Sequence, residues 1–189
     1  MREASARRGS GPDGPAPRRI RVRRIGPHEG SRLKALRLRA LAEEPEAFGE
    51  SVAEAEARDE AEYAARARAA SDGDRRAWFL AELAGDRDPT GQAAAVGLAM
   101  GRRRPPDDCM VFSVWVAETV RGRGVGRALM AAVGDWAGSW GAGRLVLWVY
   151  RSNVDAIGFY RHLGFAVMGA GPDAELGAPH GAVALHLTL

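Results

Sequence analysis

Two stretches decide the fold: Arg121-Gly122-Arg123-Gly124-Val125-Gly126-Arg127 and, one strand later, Asn153-Val154-Asp155-Ala156-Ile157-Gly158-Phe159-Tyr160-Arg161-His162-Leu163-Gly164-Phe165. The first follows Met110 to Val116, an apolar, β-branched run that suits a central strand. It opens a helix whose Val125, Leu129, Ala132, Val133, Trp136 and Trp140 recur at helical spacing. A glycine-rich turn between strand and helix bares backbone N–H groups beside a positive helix end, which is a site for a pyrophosphate. Its glycines allow left-handed dihedrals and close ligand approach, and Arg121, Arg123 and Arg127 add charge where phosphates would lie. A P-loop is excluded because no lysine is present here, and a Rossmann turn because the sixth position from Gly122 is Arg127 and from Gly124 is Leu129.

In the second stretch Asn153 and Tyr160 are seven residues apart, two helical turns, and share a face. Asn153 suits an N-cap and Tyr160 suits a core position, or both face a ligand. Gly164 closes that helix. Between the two stretches, Leu145 to Tyr150 lacks polar alternation and reads as a strand buried on both faces.

Working outward, Ile20 to Ile25 alternates apolar residues with arginine, as a half-buried strand does. Pro27 opens a helix carrying Leu33, Leu36 and Ala40, and Pro45 ends it. Ser51 and Glu54 form a capping box before a helix running to about Ala70. Ala77 to Leu83 and Gln92 to Met100 are strands joined by a loop from Gly85 to Gly91, and Arg102 to Asp108 is a polar loop. Phe165 to Met168 and Val183 to Leu187 are the last strands. The order β-α-α-β-β-β-α-β-α-β-β makes an α+β fold, an α/β sandwich on a mixed sheet. Gly134 and Gly138 inside the helix after the turn are expected to allow close packing.

The chain has 189 residues and a net charge of +3, with 46% hydrophobic and 27% charged residues, which suits one globular domain. We divide it into a disordered basic tail, residues 1–17, and one domain, residues 18–189. Residues 1–24 carry eight arginines against two acids, whereas the rest holds 19 basic and 22 acidic residues. The basic balance therefore belongs to the tail, which has no aromatic residue to stack on a base, and no nucleic-acid partner is expected. No apolar run approaches the ~18 residues of a membrane helix and no secretory signal is seen, so a cytoplasmic protein without a membrane partner is expected. The single cysteine, Cys109, excludes a disulfide framework and reads as a buried hydrophobe. His180 and His186 lack metal-ligand spacing, and no metal is expected. Ala137-Gly138-Ser139-Trp140-Gly141 imitates a hydrolase elbow but lies at a helix end rather than between strand and helix.

The paired motifs resemble the GNAT superfamily of N-acetyltransferases, over about residues 20 to 187. The resemblance implies a mixed, mostly antiparallel central sheet flanked by helices, with two parallel central strands that splay. It implies an acyltransferase that uses acetyl-CoA as acyl donor. Gly122 to Arg127, with Arg121, would hold the pyrophosphate; Val114, Trp115 and Val116 would lie along the pantetheine arm through backbone hydrogen bonds. Asn153 would contact that arm, and Tyr160 would sit beside the thioester sulfur as the acid that protonates the leaving thiolate. Leu33 to Gly49 resembles the acceptor region.

An N-acetyltransferase of this kind attacks the thioester directly with a primary amine of a small molecule or peptide. An alkyl ammonium has a pKa of ~10, so a base or water must first remove a proton. Met110 to Val116 carries no acid and Leu147-Trp148-Val149, just before Asn153, carries no glutamate, which leaves Glu82, Glu43, Glu44 and Glu46 as candidates. Residues 43–62 hold nine acids and one arginine, from which attraction for a cationic amine is expected. The alternative reading is a non-catalytic acyl-CoA sensor on the same fold. A homodimer is the default assembly.

Overall fold

The computed structural model describes residues 19–168 and 179–189. The expected disordered tail, residues 1–17, lies outside the described residues. Seven strands form one sheet in the order β1-β2-β3-β4-β5-β7-β6: β1 Ile20–Arg24, β2 Arg76–Arg87, β3 Ala93–Arg104, β4 Asp108–Val116, β5 Arg144–Tyr150, β6 Ala166–Val167 and β7 Ala182–Thr188. All neighbours are antiparallel except β4 and β5, joined through a crossover helix. The helices are α1 Gly30–Glu43, α2 Val52–Glu56, α3 Glu60–Ser71, α4 Val125–Ser139 and α5 Val154–His162.

The sequence expectations require four adjustments. First, α1 begins at Gly30 rather than Pro27. The Glu29 carboxylate accepts the Gly26 N–H at 2.6 Å and holds the chain in a turn there. Second, the capping box forms as expected, with Glu54 N–H donating to Ser51 Oγ at 3.2 Å and Ser51 N–H to Glu54 Oε2 at 2.7 Å. The helix it opens is only one turn long, because extended Asp59 starts a new helix by accepting the Glu62 N–H at 2.7 Å. Third, the arginines expected in a loop at 102–104 continue the β3 ladder, opposite Met110, Cys109 and Asp108. Fourth, the helical glycines meet no close neighbour: a Cβ at Gly134 would come no nearer than 3.6 Å to another residue, and one at Gly138 would have nothing within 4 Å.

The faces of the sheet follow from the glycines of β3. A Cβ at Gly97 would lie 2.9 Å from Leu129, and one at Gly101 would lie 2.6 Å from the Trp136 ring, so this face of β3 carries α4. The intervening residues Leu98, Met100 and Arg102 face the other way, the side of α1 and α3. Leu33, Leu36 and Ala40 of α1 are buried as expected, and α4 buries Val125, Leu129, Val133 and Ala137, with Trp136 and Trp140 half-buried at its edge. Cys109 is fully buried in the core, where desolvation pushes its thiol up to about 12. Among the described residues no helix is long and apolar enough to cross a membrane.

One buried polar cluster joins β1, β2 and α1. Glu82, 4% exposed, accepts Arg23 Nη2 at 2.8 Å and faces Arg32 at 3.0 Å, while Glu29 accepts both Arg23 and Arg32. The Arg23 guanidinium lowers the Glu29 carboxyl from 4.5 to about 2.

Two outcomes follow from this packing. Gly134→Ala removes backbone freedom from the unfolded chain without a clash, so it raises the unfolding free energy by ~1 kcal/mol in a urea titration. The depressed Glu29 carboxyl stabilises the fold fully above pH 4.5, and this contribution is lost as pH falls towards about 2. Acid titrations of wild type and Glu29→Gln should therefore differ, the variant losing less stability over that interval.

Candidate active site

The β4–β5 ladder lasts three positions, Asp108↔Arg144, Cys109↔Leu145 and Met110↔Val146. Beyond them the strands part, and the backbone groups of β4 that face β5 lose their strand partner. The parting coincides with a bulge. Leu98 pairs with Trp115 and Met100 with Phe112, so Ser113 and Val114 together oppose the single residue Ala99. Ser113 sits at φ +55°, a left-handed conformation that costs a non-glycine residue on the order of 1–2 kcal/mol.

A cavity of about 630 Å³ opens at this gap. Its walls are Val114, Trp115 and Val116 of β4, the turn Arg121, Gly122, Gly124, Val125, Gly126 and Arg127, and the stripe Asn153, Ala156, Tyr160 and Leu163 of the α5 region. The end of α1 and the turn after it contribute Glu44, Ala47 and Phe48. Eleven of the twelve residues singled out from sequence therefore line one cavity. Arg123 does not; its side chain is exposed beside it.

Each wall has a local cause. Gly122 and Gly124 take φ +75° and +83°, and Gly124 occupies the N-cap of α4 without a side chain to cap the helix. The first-turn N–H groups are thus left for a ligand. Gly126 serves a different purpose: a Cβ there would lie 2.8 Å from the Phe159 ring, so this glycine lets α5 pack on the start of α4. Arg121 is held from two sides, donating from Nε to the Val116 carbonyl at 3.1 Å and from Nη2 to Glu44. This ion pair ties the glycine turn to the end of α1 across the cavity. Trp115 gives its indole N–H to Glu43 at 3.2 Å beneath the Arg39 guanidinium.

Asn153 caps α5 by accepting the Ala156 N–H at 3.0 Å, which leaves its amide NH₂ unused by the cap. At the other end Gly164, at φ +95°, donates to Arg161 O while Phe165 N–H reaches Tyr160 O at 3.0 Å. This closing motif seats Phe165 against the Tyr160 ring, 5.5 Å between centroids. Tyr160 is 8% exposed, and burial alone raises its phenol well above the usual tyrosine range. The group stays protonated throughout the physiological range.

The candidate bases fare differently. Glu82 belongs to the buried cluster with Arg23 and Arg32 and does not line the cavity. Glu43 is bound to Trp115 and Arg39, and Glu46 is exposed outside the cavity walls. Glu44 lines the cavity but is paired with Arg121. Sequence reasoning missed Asp155, Phe159, His162 and Val120, which also line it. The spacing 153, 156, 160, 163 along α5 carried part of that signal. Among the described residues no group of three or more His, Cys, Asp and Glu side chains could hold a metal ion.

Residues 37–165 match the model of the acetyltransferase (GNAT) family. The chain belongs to the GNAT acetyltransferase family. It shares 40% identity over 84 residues with streptothricin acetyltransferase of Streptomyces lavendulae, a match covering 44% of this chain and 42% of that protein. An uncharacterised Mycobacterium leprae protein is 41% identical over 68 residues, 36% of this chain and 18% of its own length. The chain thus spans less than half the length of the curated relatives it matches. A GNAT-family acetyltransferase structure from Streptococcus pneumoniae superposes with a TM-score of 0.69 at 19% identity, covering 90% of this chain and all of the other. The GNAT domain of S. lividans PAT gives 0.66 at 20% identity, with 90% of each chain covered. Both show the same fold, the mixed seven-stranded sheet between helices that the sequence led us to expect.

The two roles of Asn153 can be separated. Asn153→Ala removes the cap and lowers stability by ~1 kcal/mol, whereas Asn153→Asp retains the accepting oxygen and should leave the melting temperature close to wild type.

Proposed function

We propose that this acyltransferase moves an acetyl group from acetyl-CoA to a primary amine by direct attack on the thioester. One observation carries the reading: the cavity at the β4–β5 gap joins an uncapped helix N-terminus, unpaired strand backbone and a buried, protonated phenol. The residues present fit acetyl-CoA. Gly122 to Arg127 would take the pyrophosphate, with Arg127 and Arg123 free of carboxylate partners among the described residues and Arg121 exchanging Glu44 for phosphate. The β5-facing amides of Val114 to Val116 would pair with the amides of the pantetheine arm as an added strand does. The Asn153 NH₂ group would donate to the same arm. Acetyl-CoA supplies the activated acyl group.

In the reaction the amine nitrogen bonds to the acetyl carbon and the carbon–sulfur bond breaks, leaving a thiolate. Tyr160 donates its phenolic proton to that sulfur. Desolvation holds Tyr160 neutral, which suits a donor and rules it out as the base at neutral pH. Nitrogen loses one proton to water or to Glu44, the cavity carboxylate that Arg121 releases when it turns to the phosphate, and Tyr160 regains its own proton from solvent. The net change is one amide and one thiol for one amine and one thioester.

Tyr160→Phe keeps the ring packed against Phe165 and removes only the donor. Its kcat should fall by ~100-fold or more while the acetyl-CoA Kd stays within about twofold. Thermal shift with acetyl-CoA and thiol release over an amine library measure the two quantities. An unchanged kcat removes Tyr160 from the chemistry, and no shift with acetyl-CoA removes the cofactor reading itself.

A further inference from the structure

We propose that the amine acceptor carries an oxyanion, carboxylate or phosphate, which binds in a second cavity on the α1 and α3 side of the sheet. This rests on the acetyl-transfer reading above and names the class of acceptor. The second cavity, about 280 Å³, is lined among the described residues by Arg37, Arg66, Arg76 and Arg102, with Glu50 as the only acid, and Arg66 is itself paired with Glu62. Arg37 is 5% exposed; one of its terminal nitrogens meets Glu50, and the other, Nη1, is buried without a partner among the described residues. Burial and the neighbouring arginines lower that guanidinium to about 10, the direction an anion placed beside it would reverse. Glu50 is shared with Arg58 and cannot balance the cluster. Arg76 and Arg102 have no carboxylate partner among the described residues.

The position of the cavity suits an acceptor. Arg76↔Arg102, Trp78↔Met100 and Met100↔Phe112 are register partners, so the floor lies on the sheet face away from α4. Phe112 meets Trp148 of β5 edge-on at 6.2 Å across the gap, and Arg37 stacks at 5.0 Å on Phe48, a wall of the first cavity. An amine tethered by its anion to the arginines thus reaches the gap from the side opposite α4. Seven of the nine acids expected to attract a cation are engaged elsewhere: Glu43, Glu44, Glu50, Glu60 and Glu62 in ion pairs, Glu54 and Asp59 in helix caps.

The test uses the whole chain saturated with acetyl-CoA, so that phosphate does not report on the glycine turn. Glutarate and methyl phosphate are titrated calorimetrically into wild type, Arg76→Gln, Arg102→Gln and Arg37→Met. One or both probes should bind wild type, and each substitution should weaken binding ~tenfold, the loss of one charge-assisted hydrogen bond. The two exposed variants keep the test valid if Arg37→Met fails to fold. Thiol release is then compared for γ-aminobutyrate, phosphoethanolamine, butylamine and putrescine. An anionic acceptor should lead, and Arg102→Gln should raise its KM without changing the butylamine rate. Binding of neither probe, binding indifferent to the arginines, or preference for putrescine overturns the proposal while leaving acetyl transfer intact. Failure to bind acetyl-CoA at all would instead overturn the reading beneath it.

Discussion

The early end of the β4–β5 ladder is the constraint on which the site depends. Parallel strands joined by a crossover helix ordinarily pair along their length, because each unpaired backbone amide in a buried strand costs free energy. Here pairing stops after Met110 and Val146. The bulge at Ser113–Val114 turns the outer half of β4 away, and Ser113 holds a left-handed backbone to do so. The molecule therefore stores both strain and unsatisfied amides at one place, the cavity wall. A ligand with its own amides recovers the second of these costs, which gives the gap a thermodynamic reason to be a binding site.

The same gap explains the placement of the surrounding elements. The helix following β4 begins at the open end of the strands, so its uncapped N-terminus faces the cavity. Phe159 packs into the space left by Gly126 and fixes α5 beside α4, and the cap at Gly164 fixes Tyr160 at the wall. The Arg121–Glu44 pair then draws the end of α1 over the opening. Each contact is local, but all of them converge because β4 and β5 diverge.

Much of this was legible in the sequence because it rests on local chemistry. Strand, glycine turn and helix are consecutive in the chain, and Asn153 to Gly164 carries its own cap, stripe and stop. The parts misread depend on contacts distant in sequence. The arginines at 102–104 extend a strand because β4 pairs with them, which polarity alone does not reveal. Gly126 lines the cavity as expected, but its smallness also makes room for Phe159, 33 residues away, a contact the sequence does not display. Glu82 looked like an available carboxylate on a strand until the fold surrounded it with Arg23 and Arg32.

Charge shows the limit of reading along the chain most clearly. Residues 43–62 are strongly acidic as a string, yet most of their carboxylates are taken up by arginines and Lys34 or by helix caps. The potential of a cleft depends on which charges remain unpaired at its surface, and pairing is a property of the fold. Beside the β4–β5 gap the surplus is positive: Arg76 and Arg102 have no carboxylate partner among the described residues, Arg37 and Arg58 share one glutamate, and the deepest guanidinium is incompletely bonded. A buried cation without a full complement of acceptors is costly to maintain. Its persistence next to the reaction site is most simply understood if the missing acceptor arrives with the substrate.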